Sequence, residues 1–254
     1  MVDSILTSLL KKISKHSQYQ TISDIALPYL SDELNLCIGN KFEKERLDFF
    51  KKYIDFENKS FVDIGGNTGY FSFELMKHYA TKGHYIEGNE YHFLFVKRLI
   101  DLLNLTRLKI TNDYLNFDNI DYFISTDVCL LLNVLHHVGD DFLAKLTSIE
   151  ESKEFIAITL SKLARSATIL VFQLGFNWKG NPSLPLFQNG TKEELINFVE
   201  DATSSDWYIN QIGIPEVLNG KVHYALLDEK NCYRQDELGE FLNRPLFILK
   251  SKFK

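Results

Sequence analysis

Apolar positions change period along the chain, and the change names the elements before any motif is read. Near the N-terminus Ile5, Leu6, Leu9, Leu10 and Ile13 recur at helical spacing, and "KFEKERLDFFKKYI" repeats the pattern with Phe42, Leu47, Phe50 and Ile54. Pro28 and Gly39 break the chain between these stretches. Residues 1–58 therefore read as a helical segment that packs against, or caps, a larger domain over residues 59–254. From Ser60 onward short β-branched or aromatic runs alternate with helical stretches: "SFVDIGG" then "FSFELMKHY", "GHYIEGN" then "YHFLFVKRLIDLLNL", "LKITND", "DVCLLLNVL" then "DFLAKLTSI", and "ATILVFQLG". Such alternation predicts an α/β fold with a mostly parallel sheet flanked by helices. "CLLL" and "ILVF" are continuously apolar, as strands covered on both faces require, which favours a doubly wound sheet. The tail predicts a helix in "TKEELINFVEDA", a strand in "WYINQIGIP", a polar stretch and a closing strand in "RPLFILKSKF".

Composition narrows the picture. A chain of 254 residues with 45% hydrophobic content can bury one large core. The net charge of −6 argues against a nucleic-acid partner, because binding to a phosphate backbone draws on clustered Lys and Arg. No apolar run approaches the roughly 20 residues that span a bilayer, and the start lacks the cationic lead and cleavage site of a secretion signal, so a cytoplasmic protein is expected. Cys37, Cys129 and Cys232 have neither even number nor metal-ligand spacing, and Cys129 reads as core. No metal is expected.

Chemistry concentrates at the ends of the predicted strands. "DIGGNTG" places Asp63 at a strand end, Gly65 at the turn, Gly69 at a helix entrance, and Asn67 where a nucleotide-binding loop would carry another glycine. Glycines permit positive φ and close approach of a ligand, and the following helix offers free N–H groups and the positive end of its dipole. An acid on the strand repels a pyrophosphate and attracts an ammonium group. A tight turn holding no ligand is the alternative. "HYIEGNEYH" supplies Glu87, Asn89 and Glu90, with Glu87 favoured for two ribose hydroxyls because acids in that role sit about 20 residues beyond the glycines. Glu90 then opens the next helix, where it complements the dipole. In "LKITNDYL" Asn112 and Asp113 could meet a base or form an Asx turn, and Tyr114 and Phe117 could stack on it or fill the core. "LLLNVLHHVGDDF" gathers Asn133, His136, His137, Asp140 and Asp141. Histidine is the ordinary base near neutrality, and consecutive residues point in opposite directions, so one of the pair serves chemistry and the other structure, with His137 preferred. Asp140 and Asp141 could orient a histidine, or one of them could serve, as favoured, as the N-cap of a helix starting at Phe142.

The loop with an acid, three alternate positions and a closing glycine after the first strand, together with "IEGN" and "NVLHH", resembles class I Rossmann-like S-adenosylmethionine-dependent methyltransferases of the bacterial small-molecule O-methyltransferase type, over roughly residues 42–254. Asn67 is the departure from that pattern. The resemblance implies a seven-stranded sheet with an antiparallel last strand and S-adenosylmethionine as cofactor. It implies cofactor contacts from Asp63, Gly65, Asn67, Gly69, Glu87, Asn89, Asp113 and Asn133. It also implies a methyl acceptor near His136 and His137. Gln173, Asn177, Trp178 and Lys179, in "LVFQLGFNWKGNPSLPLF", offer amide, aromatic and cationic groups to a small polar acceptor such as a sugar, a nucleotide-linked sugar or a phosphoryl compound of a surface-glycan precursor. A surface turn in which Trp178 packs on the N-terminal helical segment is the alternative. Insertions near 175–190 and 214–243 are the expected acceptor-side elaborations, the second as a lid, a substrate wall or a solvated connection.

Overall fold

A computed structural model describes residues 2–12, 19–31, 40–80, 82–114, 125–140, 142–143 and 145–254. Cys37, Phe117 and Asp141 lie outside the described residues. The chain divides into two compact units, one of Met1–Leu47 with Ile54–Tyr114 and one of Asp48–Tyr53 with Leu115–Lys254.

The first unit holds three parallel strands, β1 (Ser60–Ile64), β2 (Lys82–Ile86) and β3 (Leu108–Thr111), in the order β3-β2-β1. Their register sets Asp63 beside Tyr85 and Ile86 beside Thr111, so the ends of β1 and β2 finish level. Among the described residues four α-helices lie in or enter this unit: α1 (Ser4–Leu10), α2 (Glu43–Lys51), α3 (Tyr70–His78) and α4 (Glu90–Leu103). α4 buries His92, Phe95, Val96 and Leu99, the single stripe that its helical period prescribes. Phe61, Phe71, Phe73 and Phe95 leave water almost completely, each contributing about 1.5–3 kcal/mol. The N-terminal segment belongs to this unit. Asp3 caps α1 and also accepts from Arg98 of α4 through Nε at 3.0 Å and Nη2 at 2.7 Å, while Ser23 donates to Glu74 of α3 at 2.7 Å.

The second unit holds β4 (Thr126–Leu132), β5 (Ala167–Gln173), β6 (Trp207–Leu218), β7 (Lys221–Leu226) and β8 (Leu246–Ser251) in the order β4-β5-β8-β6-β7. β4 and β5 are parallel, and β8 runs antiparallel to both its neighbours, β5 and β6. The closing strand is thus antiparallel, as expected, and the two continuous apolar runs are buried strands, with Cys129 fully inside. Among the described residues the expected count of seven strands is corrected to eight. The added strand is β7, which the polar stretch after β6 supplies: Asn219 (φ 52°) and Gly220 (φ 73°) turn the chain back as a two-residue hairpin whose twist requires positive φ at both positions.

A second correction concerns the helix expected at Phe142. Among the described residues the helix after β4 is α5, Ile149–Ser166, whose start is fixed by a reciprocal capping box between Ser148 and Glu151. Asp140 therefore caps no helix; it is exposed, and its N–H donates to the His137 carbonyl at 3.1 Å. The same capping device, Thr191 with Glu194, opens α6 (Lys192–Thr203). No helix among the described residues is long and apolar enough to cross a membrane.

Candidate functional site

In the first unit the glycine loop closes over the ends of β1 and β2, and its N–H groups are all paired. The Gly65 and Gly66 N–H groups donate to the Ile86 carbonyl at 2.8 and 3.3 Å, and Gly69 donates to the Gly66 carbonyl at 2.8 Å. Asn67 N–H donates to Glu87 Oε2 at 2.8 Å, and Thr68 N–H to Asn67 Oδ1 at 2.9 Å. Tyr70 N–H, the first of α3, donates to Gln20 Oε1 at 3.2 Å. Asn67 stands at φ 50°, in the left-handed region that asparagine tolerates better than other side chains, which is why it can replace a glycine there. A Cβ on Gly66 would sit 2.6 Å from the Tyr85 ring, so the loop needs glycine at that close approach. Tyr85 in turn donates its hydroxyl to the Asn67 carbonyl.

Two carboxylates anchor this arrangement. Glu87 is buried, receiving Asn67 N–H on one oxygen and Asn89 N–H on the other, the latter at 2.8 Å. Glu90 is exposed in the first turn of α4, and Asn89 is that helix's N-cap, its side-chain oxygen accepting from Tyr91 and His92 N–H. Asp63 is buried and accepts from Ser72 Oγ at 2.8 Å. Burial pushes its carboxyl up to about 6, with the Glu87 charge adding to the rise and Ser72 and the Arg46 guanidinium opposing it. Burial, then Glu87 and Asp63, also push the Tyr85 phenol well above its ordinary value, so it remains a donor. Asp113 is exposed and accepts from the N–H of the next residue, Tyr114, at 2.8 Å. Asn112 instead braces the end of β2, donating to the Glu87 carbonyl at 2.7 Å, and the Tyr114 ring lies against Gly88.

Asp63 gives a stability prediction with a definite sign. Its folded value of about 6 exceeds the ordinary 3.8, so the folded state holds an extra proton between these limits. The contribution is full below about pH 4 and is lost as pH rises through about 6, with an upper bound of about 3 kcal/mol. Denaturant unfolding at pH 4.5 and 7.5 should show Asp63→Asn gaining stability relative to the native protein as pH rises. An unchanged difference would place the carboxyl in an ordinary environment.

In the second unit β4 is followed directly by Asn133, turned at φ 62°, with its N–H on the Gln173 carbonyl at 2.8 Å. Its side-chain amide donates to Gln173 Oε1 at 2.9 Å and accepts from Arg244 Nη1 at 2.8 Å, while Arg244 also pairs with Glu240. Asn133 and Gln173, expected on cofactor and acceptor respectively, are thus bonded to each other. His136 is buried, and its Nδ1 accepts the Gly175 N–H at 3.2 Å, which puts the proton of the neutral ring on Nε2. His137 is half-buried, its ring 4.2 Å from that of His136 between centroids and in contact range of Gly180. Trp178 is buried, donating Nε1–H to the Val138 carbonyl at 2.6 Å, and the Lys179 ammonium lies 4.1 Å over its ring. Lys179 itself has φ 58°, and Asn177 bridges to Pro185. Trp178 therefore locks the loop after β5 onto the loop after β4, where His137, Asn177 and Lys179 are half-buried and Asp140 and Asn181 are exposed. Among the described residues no three His, Cys, Asp or Glu side chains converge as a metal-ligand set.

No protein-family model and no curated protein matches the chain. Solved structures do. The crystal structure of monomeric WbdD aligns over 96% of this chain and 48% of its own, at 14% identity and a TM-score of 0.59. A structure of the bifunctional kinase-methyltransferase WbdD gives 96% and 46%, 14% identity and a TM-score of 0.56. A putative RNA methyltransferase, PH1948 from Pyrococcus horikoshii, aligns over 98% and 96% at 11% identity with a TM-score of 0.49. The chain shares its fold with the part of WbdD that it aligns with. The chain spans about half the length of the WbdD structures it matches.

The donor set of the loop tests which ligand this fold could take here. A pyrophosphate needs open N–H groups at the helix entrance. Every N–H from Gly65 to Tyr70 finds an acceptor within the protein, and two carboxylates stand beside the loop. Acceptors for hydroxyls and for an ammonium group fit S-adenosylmethionine. Sequence reasoning missed Gln20, which carries no motif signal, and the Arg244–Glu240 pair, which lies in a stretch read only as strand and connection.

Proposed function

We propose that the chain is an S-adenosylmethionine-dependent methyltransferase that transfers a methyl group to an oxygen of a small polar metabolite, such as a sugar, a nucleotide-linked sugar or a phosphoryl compound. The observation that carries this reading is the paired glycine loop flanked by Glu87 and Asp63. Glu87 has oxygen lone pairs for two ribose hydroxyls beyond the two backbone N–H groups that orient it. Asp63 attracts the ammonium of the amino-acid end. The bound cofactor would supply an activated methyl group on a sulfonium.

In this reading the acceptor-side groups are His137 and Lys179. His137 takes the proton of the acceptor hydroxyl, since it is accessible where His136 is buried with Nδ1 on Gly175. The Asn133–Gln173–Arg244 network holds the end of β4, and with it the turn that carries His137. Lys179 offers its ammonium to a polar or anionic part of the acceptor. A small molecule is favoured over nucleic acid because the net charge is −6. Release of S-adenosylhomocysteine, screened over sugar nucleotides, phosphorylated metabolites and simple hydroxylated compounds, tests the reading. Product from at least one class supports it, and cofactor binding without product from any class favours a binding protein.

A further inference from the structure

The glycine loop is completed from a part of the chain that carries no recognisable motif. Gln20, well before β1, is only 7% exposed, and its Oε1 accepts from Thr68 Oγ at 3.1 Å as well as from Tyr70 N–H at 3.2 Å. A backbone N–H can only donate, so the amide's orientation is fixed with its oxygen toward α3. Gly69, at the N-cap of α3, has no side chain to accept. Gln20 therefore caps that helix from 50 residues away in sequence. Its other end is different. Among the described residues the Nε2 amide group makes no hydrogen bond, and it keeps some contact with solvent, so it stands as a reachable donor at the helix entrance.

Resting on the methyltransferase reading above, we propose that Gln20 anchors the carboxylate of the cofactor's amino-acid end through its side-chain Nε2–H2. The loop's own N–H groups are held inside the protein, so a donor at this helix entrance has to come from another segment. Gln20 supplies one, beside the positive end of the α3 dipole, where an anion is favoured. Asp63 and Gln20 then divide the zwitterion, one carboxylate for the ammonium and one amide for the carboxylate.

Gln20→Glu separates this role from simple bracing. The variant keeps the side-chain shape and an oxygen for Thr68 and Tyr70, and it replaces the donor by an acidic oxygen that repels a carboxylate. Calorimetric titrations would use S-adenosylhomocysteine and 5′-methylthioadenosine, which lacks the amino-acid end. The expected result is a loss of at least about tenfold for S-adenosylhomocysteine, a change within about twofold for 5′-methylthioadenosine, and an unfolding temperature no lower than that of the native protein. Equal losses for the two ligands would make Gln20 a loop brace and overturn the proposal, as would unchanged affinity for both. Gln20→Ala checks the brace separately, since it should lower the unfolding temperature as well. Native protein that binds neither ligand would remove the methyltransferase reading itself, whereas native binding of both with no selective loss in the variant removes only the role of Gln20.

Discussion

Turnover is expected to fall by about two to four orders of magnitude when His137 is replaced by alanine, with S-adenosylhomocysteine affinity held within about twofold. The reason is positional. His137 is the half-buried member of the pair, on a short turn that His136 pins from beneath by accepting the Gly175 N–H. His136→Ala should act differently, removing a buried acceptor and leaving the Gly175 N–H unpaired, at a cost of about 1–3 kcal/mol in stability. Single-turnover rates and unfolding midpoints measured on both variants separate the two roles. Loss of the chemical step in His136→Ala at unchanged stability would reverse the assignment.

Glu87→Ala carries the second large effect, on cofactor binding. The carboxylate is buried, and it both orients the loop through Asn67 and Asn89 and offers its remaining lone pairs to the ribose. Losing charge-assisted hydrogen bonds of this kind should weaken S-adenosylhomocysteine by about 3 kcal/mol, on the order of a hundredfold. Glu90→Ala, altering an exposed residue in the first turn of α4, should leave affinity nearly unchanged. Titration of the two variants side by side decides between the carboxylates, and a reversed order of effects would move the ribose role to Glu90.

Much of the fold was legible because it is written in local patterns. The β-branched runs around Val62, Cys129 and Val171 became buried strands, and the period of α4 was visible in its apolar stripe. β7 escaped because it alternates weakly, with only Tyr224 buried, so its one clear signal was the Asn219-Gly220 turn. The helix after β4 was placed too early because Phe142, Leu143, Leu146 and Ile149 mimic helical spacing, while the true start is the Ser148 and Glu151 capping box. In the candidate site, the pairing of the loop with Glu87 lies at a separation that sequence rules cover, since 20 positions separate Asn67 from its partner. Gln20 and Arg244 could not. Gln20 meets Thr68 across 48 positions and Arg244 meets Asn133 across 111, and no local rule specifies contacts that only the folded chain creates.

Titration of the native protein with S-adenosylmethionine tests the central claim most directly, with NAD as the comparison ligand. The account predicts saturable one-to-one binding of S-adenosylmethionine, displaced by S-adenosylhomocysteine, and no binding of the dinucleotide. Dinucleotide binding with no response to S-adenosylmethionine would contradict it, because the paired loop and its two carboxylates would then be accommodating the pyrophosphate they are built to repel.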